Sequence, residues 1–240
     1  MTGLGQGLLL DKRDGIATIT LSHPERANAL DPAEFHALAG MLISLASDID
    51  CRAVVLTGQG DRAFCAGLNL GNEEGVRHDL SSPGPTGLGA ALRAAAALPV
   101  PIVGRINGAC VAGGMGLLGV CDYAIASTTA CFGLPEIRHG LYPFVALAGL
   151  HGRGSAAVLR RLAGSGVLID AGAAADAGII DSMCAPQDLD SAVNRNLVMM
   201  LANELPDRML RRLAEGLKAI EARLVSAEAR ARKMCIATDT

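Results

Sequence analysis

Two apolar patterns alternate along this chain: short runs closed by turn signals, and stretches with helical spacing. Leu8-Leu9-Leu10 and Ile16-Ala17-Thr18-Ile19-Thr20-Leu21 flank a polar segment ending in Asp14-Gly15, which predicts a β-hairpin. A polar loop follows over 22–28. Asp31-Pro32-Ala33-Glu34 then carries a helix start: Asp as N-cap, Pro at the first position, Glu at the third. Phe35, Leu38, Leu42 and Leu45 continue it on one face. Residues 52–58 read as a buried strand ended by glycine. Residues 59–87 are rich in Gly, Ser and Pro and read as a long functional loop without regular structure. Further on, the pattern predicts a helix over 88–98, a strand over 102–106, a buried helix over 113–120 and a strand over 123–126. A short capped helix is expected over 170–178. From Asp188 onward the chain reads as helical, broken at Pro206. The expected class is therefore α/β, with a core over 1–185 and an α-helical C-terminal region over 186–240.

Composition narrows this. Half of the 240 residues are hydrophobic, yet only 2% are aromatic, with no Trp, and 29 are glycine. Such a core is built from Ala, Leu, Val and Ile with close backbone approaches. It excludes a disordered chain and argues against an aromatic base-stacking platform. The net charge is −3, so no nucleic-acid partner is expected. Residues 207–233 hold eight Lys/Arg against four Asp/Glu, a local excess that reads as a solvated helical face. Cysteines stand at 51, 65, 110, 121, 131, 184 and 235, never in C-x-x-C spacing. They read as small buried hydrophobes in a reducing cytoplasm, with no metal site expected. The first residues lack a signal-peptide pattern and no apolar run reaches about 18 residues, so no membrane span is expected.

The candidate chemistry lies in glycine-rich turns. Gly114-Met-Gly116-Leu-Leu-Gly119 matches G-x-G-x-x-G, and Glu136 lies 20 residues beyond Gly116. A dinucleotide fingerprint needs those glycines directly after a strand, however, and 107–113 intervenes. Two other segments carry more: Ala63-Phe-Cys-Ala-Gly-Leu-Asn-Leu70, and Ile106-Asn-Gly-Ala-Cys-Val-Ala-Gly-Gly-Met-Gly116. Each leaves a strand through a tight turn of small residues. Such turns serve close helix–sheet packing, or they aim unpaired backbone N–H groups at a ligand. The second leads into a helix N-terminus, whose orphan donors favour negative charge. Two such donors converging on one point would make an oxyanion hole.

With their surroundings, these segments resemble the enoyl-CoA hydratase/isomerase (crotonase) family. The resemblance rests on five ordered motifs. These are His23-Pro-Glu-Arg-Ala-Asn-Ala-Leu30, the two glycine-rich segments, Cys121-Asp-Tyr-Ala-Ile-Ala126, and Phe132-Gly-Leu-Pro-Glu-Ile-Arg-His-Gly-Leu-Tyr-Pro143. It covers roughly residues 8–235. It implies a crotonase-like spiral of ββα units with a helical C-terminal trimerisation region, assembling as a homotrimer or a dimer of trimers. It implies an acyl-CoA substrate, with coenzyme A entering as part of that substrate and no separate cofactor. By position, the Leu68 and Gly113 amides would hold the thioester oxygen. Ala27 and the segment Ala66, Gly67, Leu68, Asn69 and Leu70 would hold the CoA moiety through backbone contacts. Family members continue past the position of Thr240 with a further helix that covers the site.

The family's hydratases use two glutamates. Aligning the motifs puts one at Gly116 and the other at Glu136, so Glu136 is present and its partner is missing. Phe132, Leu134, Pro135 and Ile137 surround Glu136 with apolar residues, an environment that would raise its pKa. One carboxylate suits the isomerase, which moves a proton between carbons 2 and 4 of a 3-enoyl thioester, better than a hydratase. Glu73, Glu74, His78 or Asp79 would be the loop's candidates for a second group, with His139 and Tyr142 near in sequence. Phe144 occupies the position of the dehalogenase aspartate. The competing reading is a degenerate crotonase-fold protein that binds CoA esters with little turnover.

Overall fold

The structure, a computed structural model, describes residues 2–3, 7–202 and 219–234. It is a spiral in which successive turns add one strand to each of two sheets. The chain starts with β1 (Thr2–Gly3), then the hairpin β2 (Leu8–Arg13) and β3 (Ile16–Leu21). Asp14 and Gly15 close that hairpin, both at positive φ (51° and 79°), as a tight turn matching the strand twist requires. Helix α1 (Pro32–Ala46) opens with the expected capping box, Asp31 with Glu34, and buries Phe35, Leu38, Leu42 and Leu45.

Three strand pairs follow. They are β4 (Ala53–Gly58) with β5 (Ala63–Cys65), β6 (Ile102–Ile106) with β7 (Ala109–Val111), and β8 (Tyr123–Ser127) with β9 (Cys131–Gly133). Between the first two pairs come α2 (Glu73–Ser81) and α3 (Gly87–Ala96); between the second and third comes α4 (Gly113–Gly119). Beyond β9 are α5 (Phe144–Gly149), α6 (Ala156–Ser165), β10 (Leu168–Asp170), α7 (Ala171–Asp176), β11 (Ser182–Cys184) and α8 (Leu189–Ala202). Residues 219–234 are helical.

The first strand of each pair lies in a seven-stranded sheet of order β1-β2-β3-β4-β6-β8-β11, and the second in a four-stranded sheet of order β10-β9-β7-β5. From β3 to β11 the large sheet is parallel. Parallel strands are covered on both faces, which explains why all six residues of β4 are buried. Val54 and Leu56 enter the main core, while Ala53 and Val55 meet Leu189, Val193 and Leu197 of α8 on the other face.

Residues 59–87 depart from the expectation of an unstructured loop. They contain β5 and all of α2, whose N-cap Asn72 accepts the Gly75 N–H through its side chain. The expected break at Pro206, the basic stretch before residue 219 and Cys235 lie outside the described residues. Cys51, Cys65, Cys110 and Cys121 are free and buried, whereas Cys131 and Cys184 are free and only half-buried, against the expectation that all are buried. Among the described residues, no helix is long and apolar enough to cross a membrane.

Candidate active site

The two glycine-rich turns meet at the mouths of β5 and β7, which are neighbours in the small sheet. Leu30 bridges the first turn: its N–H donates to the Gly67 carbonyl (2.9 Å), and the Asn69 N–H donates to the Leu30 carbonyl (2.8 Å). In such a parallel bridge the intervening residue's N–H points away from the partner strand. The Leu68 N–H thus points away from Leu30. In the second turn Gly113 takes the first position of α4, so its N–H is one of the donors that the helix itself cannot satisfy. Ala112, just before it, holds φ 51° and ψ −125°, a strained conformation for a residue with a Cβ. The Ala112 N–H donates to the Gly133 carbonyl (3.0 Å) and fixes that strain in place.

Glycine at 67 is dictated by this meeting. Its φ is +87°, and a Cβ there would lie 2.5 Å from the Gly113 nitrogen. Likewise, a Cβ on Gly113 would come 3.6 Å from the Leu68 nitrogen. The two turns therefore approach backbone to backbone.

Two buried asparagines hold the scaffold behind them, and neither stood out in the sequence. Asn28 donates to the carbonyls of Gln59 (3.1 Å) and Ala63 (2.7 Å). Asn107 donates to the carbonyls of Gly60 (2.8 Å) and Ala63 (2.9 Å) and accepts the Gly58 N–H. A signal was present: each Asn stands beside small residues in a turn, Asn28 between Ala27 and Ala29 and Asn107 before Gly108.

Glu136 comes from the turn after β9, in a 3-10 segment over Pro135–His139. Its Oε2 is buried with no hydrogen-bond partner among the described residues. Burial raises its pKa from 4.5 to about 7, as the apolar flanks led us to expect.

Ala66, Leu68, Leu70, Gly113 and Glu136 line one cavity of about 240 Å³, whose walls are otherwise mostly apolar. Ala27, Gly67 and Asn69 lie behind it. The Ala27 carbonyl accepts the Ala66 N–H (3.0 Å), and the Asn69 side chain donates to Asp31 (2.9 Å). Of the loop's candidate second groups, only Asp79 reaches the cavity wall; Glu73, Glu74 and His78 do not line it. Both Asp79 oxygens already accept the Gly87 N–H (3.0 and 3.1 Å). His139 and Tyr142 also line the cavity, and Tyr142 packs on Phe144 with ring centroids 4.8 Å apart.

Gly116 is not an open position. A Cβ there would lie 3.1 Å from the Ala146 Cα, and one on Gly149 would lie 2.7 Å from the Gly116 carbonyl oxygen. Helix α5 crosses α4 on bare backbone, so that a Cβ at 116 would press on Ala146. The G-x-G-x-x-G spacing is thereby explained by packing: Gly114 faces the Cys65 carbonyl, and Gly119 faces Gly149.

A family model for enoyl-CoA hydratase/isomerase matches residues 11–238. The chain is 32% identical over 194 residues to the (E)-benzylidenesuccinyl-CoA hydratase of Thauera aromatica, covering 75% of this chain and 70% of that one. It is 27% identical over 248 residues to the crotonyl-CoA hydratase of Syntrophomonas wolfei, with coverage of 97% and 91%. Among solved structures, an enoyl-CoA hydratase from Mycobacterium avium superposes with a TM-score of 0.81 at 28% identity, over 98% of this chain and 99% of that one. The architecture is the crotonase fold. The chain belongs to the enoyl-CoA hydratase/isomerase family.

Proposed function

We propose that this protein isomerises a 3-enoyl-CoA thioester to the 2-enoyl isomer. In this reading the Leu68 and Gly113 amides hold the thioester oxygen. Glu136, as carboxylate, takes a proton from carbon 2, and the charge that develops spreads onto the oxygen. The same carboxyl then returns the proton to carbon 4, so nothing is gained or lost. Preorganised amides aimed at a developing oxyanion are worth on the order of 10²–10³ in rate per donor. Coenzyme A is part of the substrate, and Ala66 and Leu70 are the residues of the first turn placed to contact it.

The observation that carries this reading is a single carboxyl with raised pKa in the cavity that also holds the two amides. Hydration would be served by a second group to activate water, and glycine stands at 116, the position of the family's other glutamate. The proton-shuttling base must be ionised in the free enzyme. kcat/KM is therefore expected to fall below about pH 7, tenfold per pH unit, and to level off above it. A hydratase needing Glu136 protonated would show the opposite limb. Assaying 3-enoyl and 2-enoyl thioesters of four to eight carbons across pH 5–9 tests this. Hydration of the 2-enoyl series exceeding isomerisation would overturn it. Binding of acyl-CoA without turnover on either series would support the degenerate-binder reading instead.

Putting the missing carboxylate back is expected to fail. Gly116→Glu must push its Cβ into the Ala146 backbone, and overpacking of this kind costs about 1–3 kcal/mol. We expect a lowered melting temperature and no gain of hydratase activity. Efficient hydration by this variant would show that α5 yields readily.

A further inference from the structure

The helix over 219–234 forms part of the cavity wall, through Ala231 and Met234. Ile220, Leu224 and Ala227 of the same helix are buried in the main core. Between these lies Glu228, a carboxylate only 4% exposed that the proposed chemistry does not use. Its Oε1 accepts the Thr86 N–H (2.8 Å) and the Thr86 hydroxyl (3.1 Å). Arg93 closes on it with two further bonds, at 3.1 Å to Oε1 and 3.0 Å to Oε2, and donates from Nε to Glu221 (2.7 Å). Thr86 is the N-cap of α3, so the carboxylate sits at the positive end of that helix.

Gly89 gives an independent sign of fit. It stands inside α3, where glycine is a poor helix former. A Cβ there would lie 2.0 Å from the Glu228 Oε1, so the missing side chain makes the space that the carboxylate occupies. Arg232 adds a second tie, donating to the carbonyls of Leu80 and Gly84. Leu80, Thr86 and Leu88 belong to the same cavity wall. A buried ion pair is weak as a source of stability but specific as a key, since only one register satisfies every bond.

We infer that Glu228 is a positioning residue, keying the 219–234 helix into the α3 N-terminus so that Ala231 and Met234 close the cavity that holds Glu136. This rests on the proposed reaction only in taking that cavity as the acyl-thioester site.

The test uses the full chain with Glu228→Ala, Gly89→Ala and Glu228→Gln. Hydrogen exchange is read over 219–234, and the Kd of butyryl-CoA, which cannot react, is read by calorimetry. Gly89→Ala is the discriminating variant, because alanine favours helix α3 itself while evicting the carboxylate. Both alanine variants are expected to speed exchange over 219–234 at least tenfold and to weaken butyryl-CoA binding about tenfold. Glu228→Gln keeps an acceptor for Thr86 but loses the charge and one acceptor that face Arg93, so both quantities should fall between the parent and Glu228→Ala. Where turnover is measurable, KM should rise while kcat stays within threefold. Wild-type exchange in Gly89→Ala would overturn the key, as would faster exchange with an unchanged Kd. Neither readout needs turnover, so an inactive enzyme would sink the isomerase reading and leave this one standing or falling on its own.

Discussion

Replacing Glu136 with Gln is expected to lower kcat by 10²–10⁴, the usual worth of a positioned acid–base group, with KM changed severalfold at most. Gln keeps the volume of the side chain but can neither take nor return a proton. Steady-state kinetics on a 3-enoyl thioester checks this, and activity within tenfold of the parent would remove Glu136 from the mechanism. The same substitution has a second consequence, of opposite sign, on stability. The folded pKa of about 7 lies above the ordinary 4.5 because burial penalises the ionised form. Folding is thus most favoured where Glu136 is protonated in both states, below about pH 4.5, and loses that advantage as pH rises through 7. Above pH 7 the parent carries the whole cost, at most about 3 kcal/mol, and Gln carries none. Glu136→Gln should therefore melt higher than the parent at pH 8, with the gap closing toward pH 4.5. A variant that is less active yet more stable at alkaline pH is hard to explain as damage to the fold.

The legibility of this molecule followed the range of the forces involved. Asp14-Gly15 and the Asp31-to-Glu34 capping box are local devices, so the hairpin and α1 could be read directly. The parallel strand β4 was readable because burial on both faces leaves an unbroken apolar run. Strands β5, β7, β9 and β10 have three residues each, and their pairing partners come from other turns of the spiral. No local pattern marks them. Helix α2 buries none of its residues, so its polar sequence resembled loop and it was missed. At the site, the glycines and the apolar flanks of Glu136 were visible as types. The meeting of Leu68 with Gly113 depends on neighbouring strands of the small sheet, and the close approach of Ala146 to Gly116 depends on α5. Both are tertiary facts. The resemblance to a family supplied the first as an expectation, but it showed the second only as a missing residue.

Gly67→Ala is expected to cost 10²–10³ in kcat/KM while leaving Glu136 and its pKa untouched. The added methyl would stand 2.5 Å from the Gly113 nitrogen and 3.0 Å from the Ala112 Cβ. These neighbours are backbone and a residue already strained, so neither can swing aside as a flexible side chain would. Alanine at φ +87° adds its own penalty, and together these predict a loss of about 1–3 kcal/mol in stability. The turn can relieve the contact only by rotating the peptide that carries the Leu68 N–H, or by pushing α4 and its Gly113 N–H back. Either movement takes one donor off the shared point, and the loss of one such donor sets the size of the rate effect. The limb of the pH profile should stay where it was, because the titrating carboxyl is on a different turn. Catalysis within threefold of the parent, in a variant that folds, would mean that the two amides do not act together on the thioester oxygen.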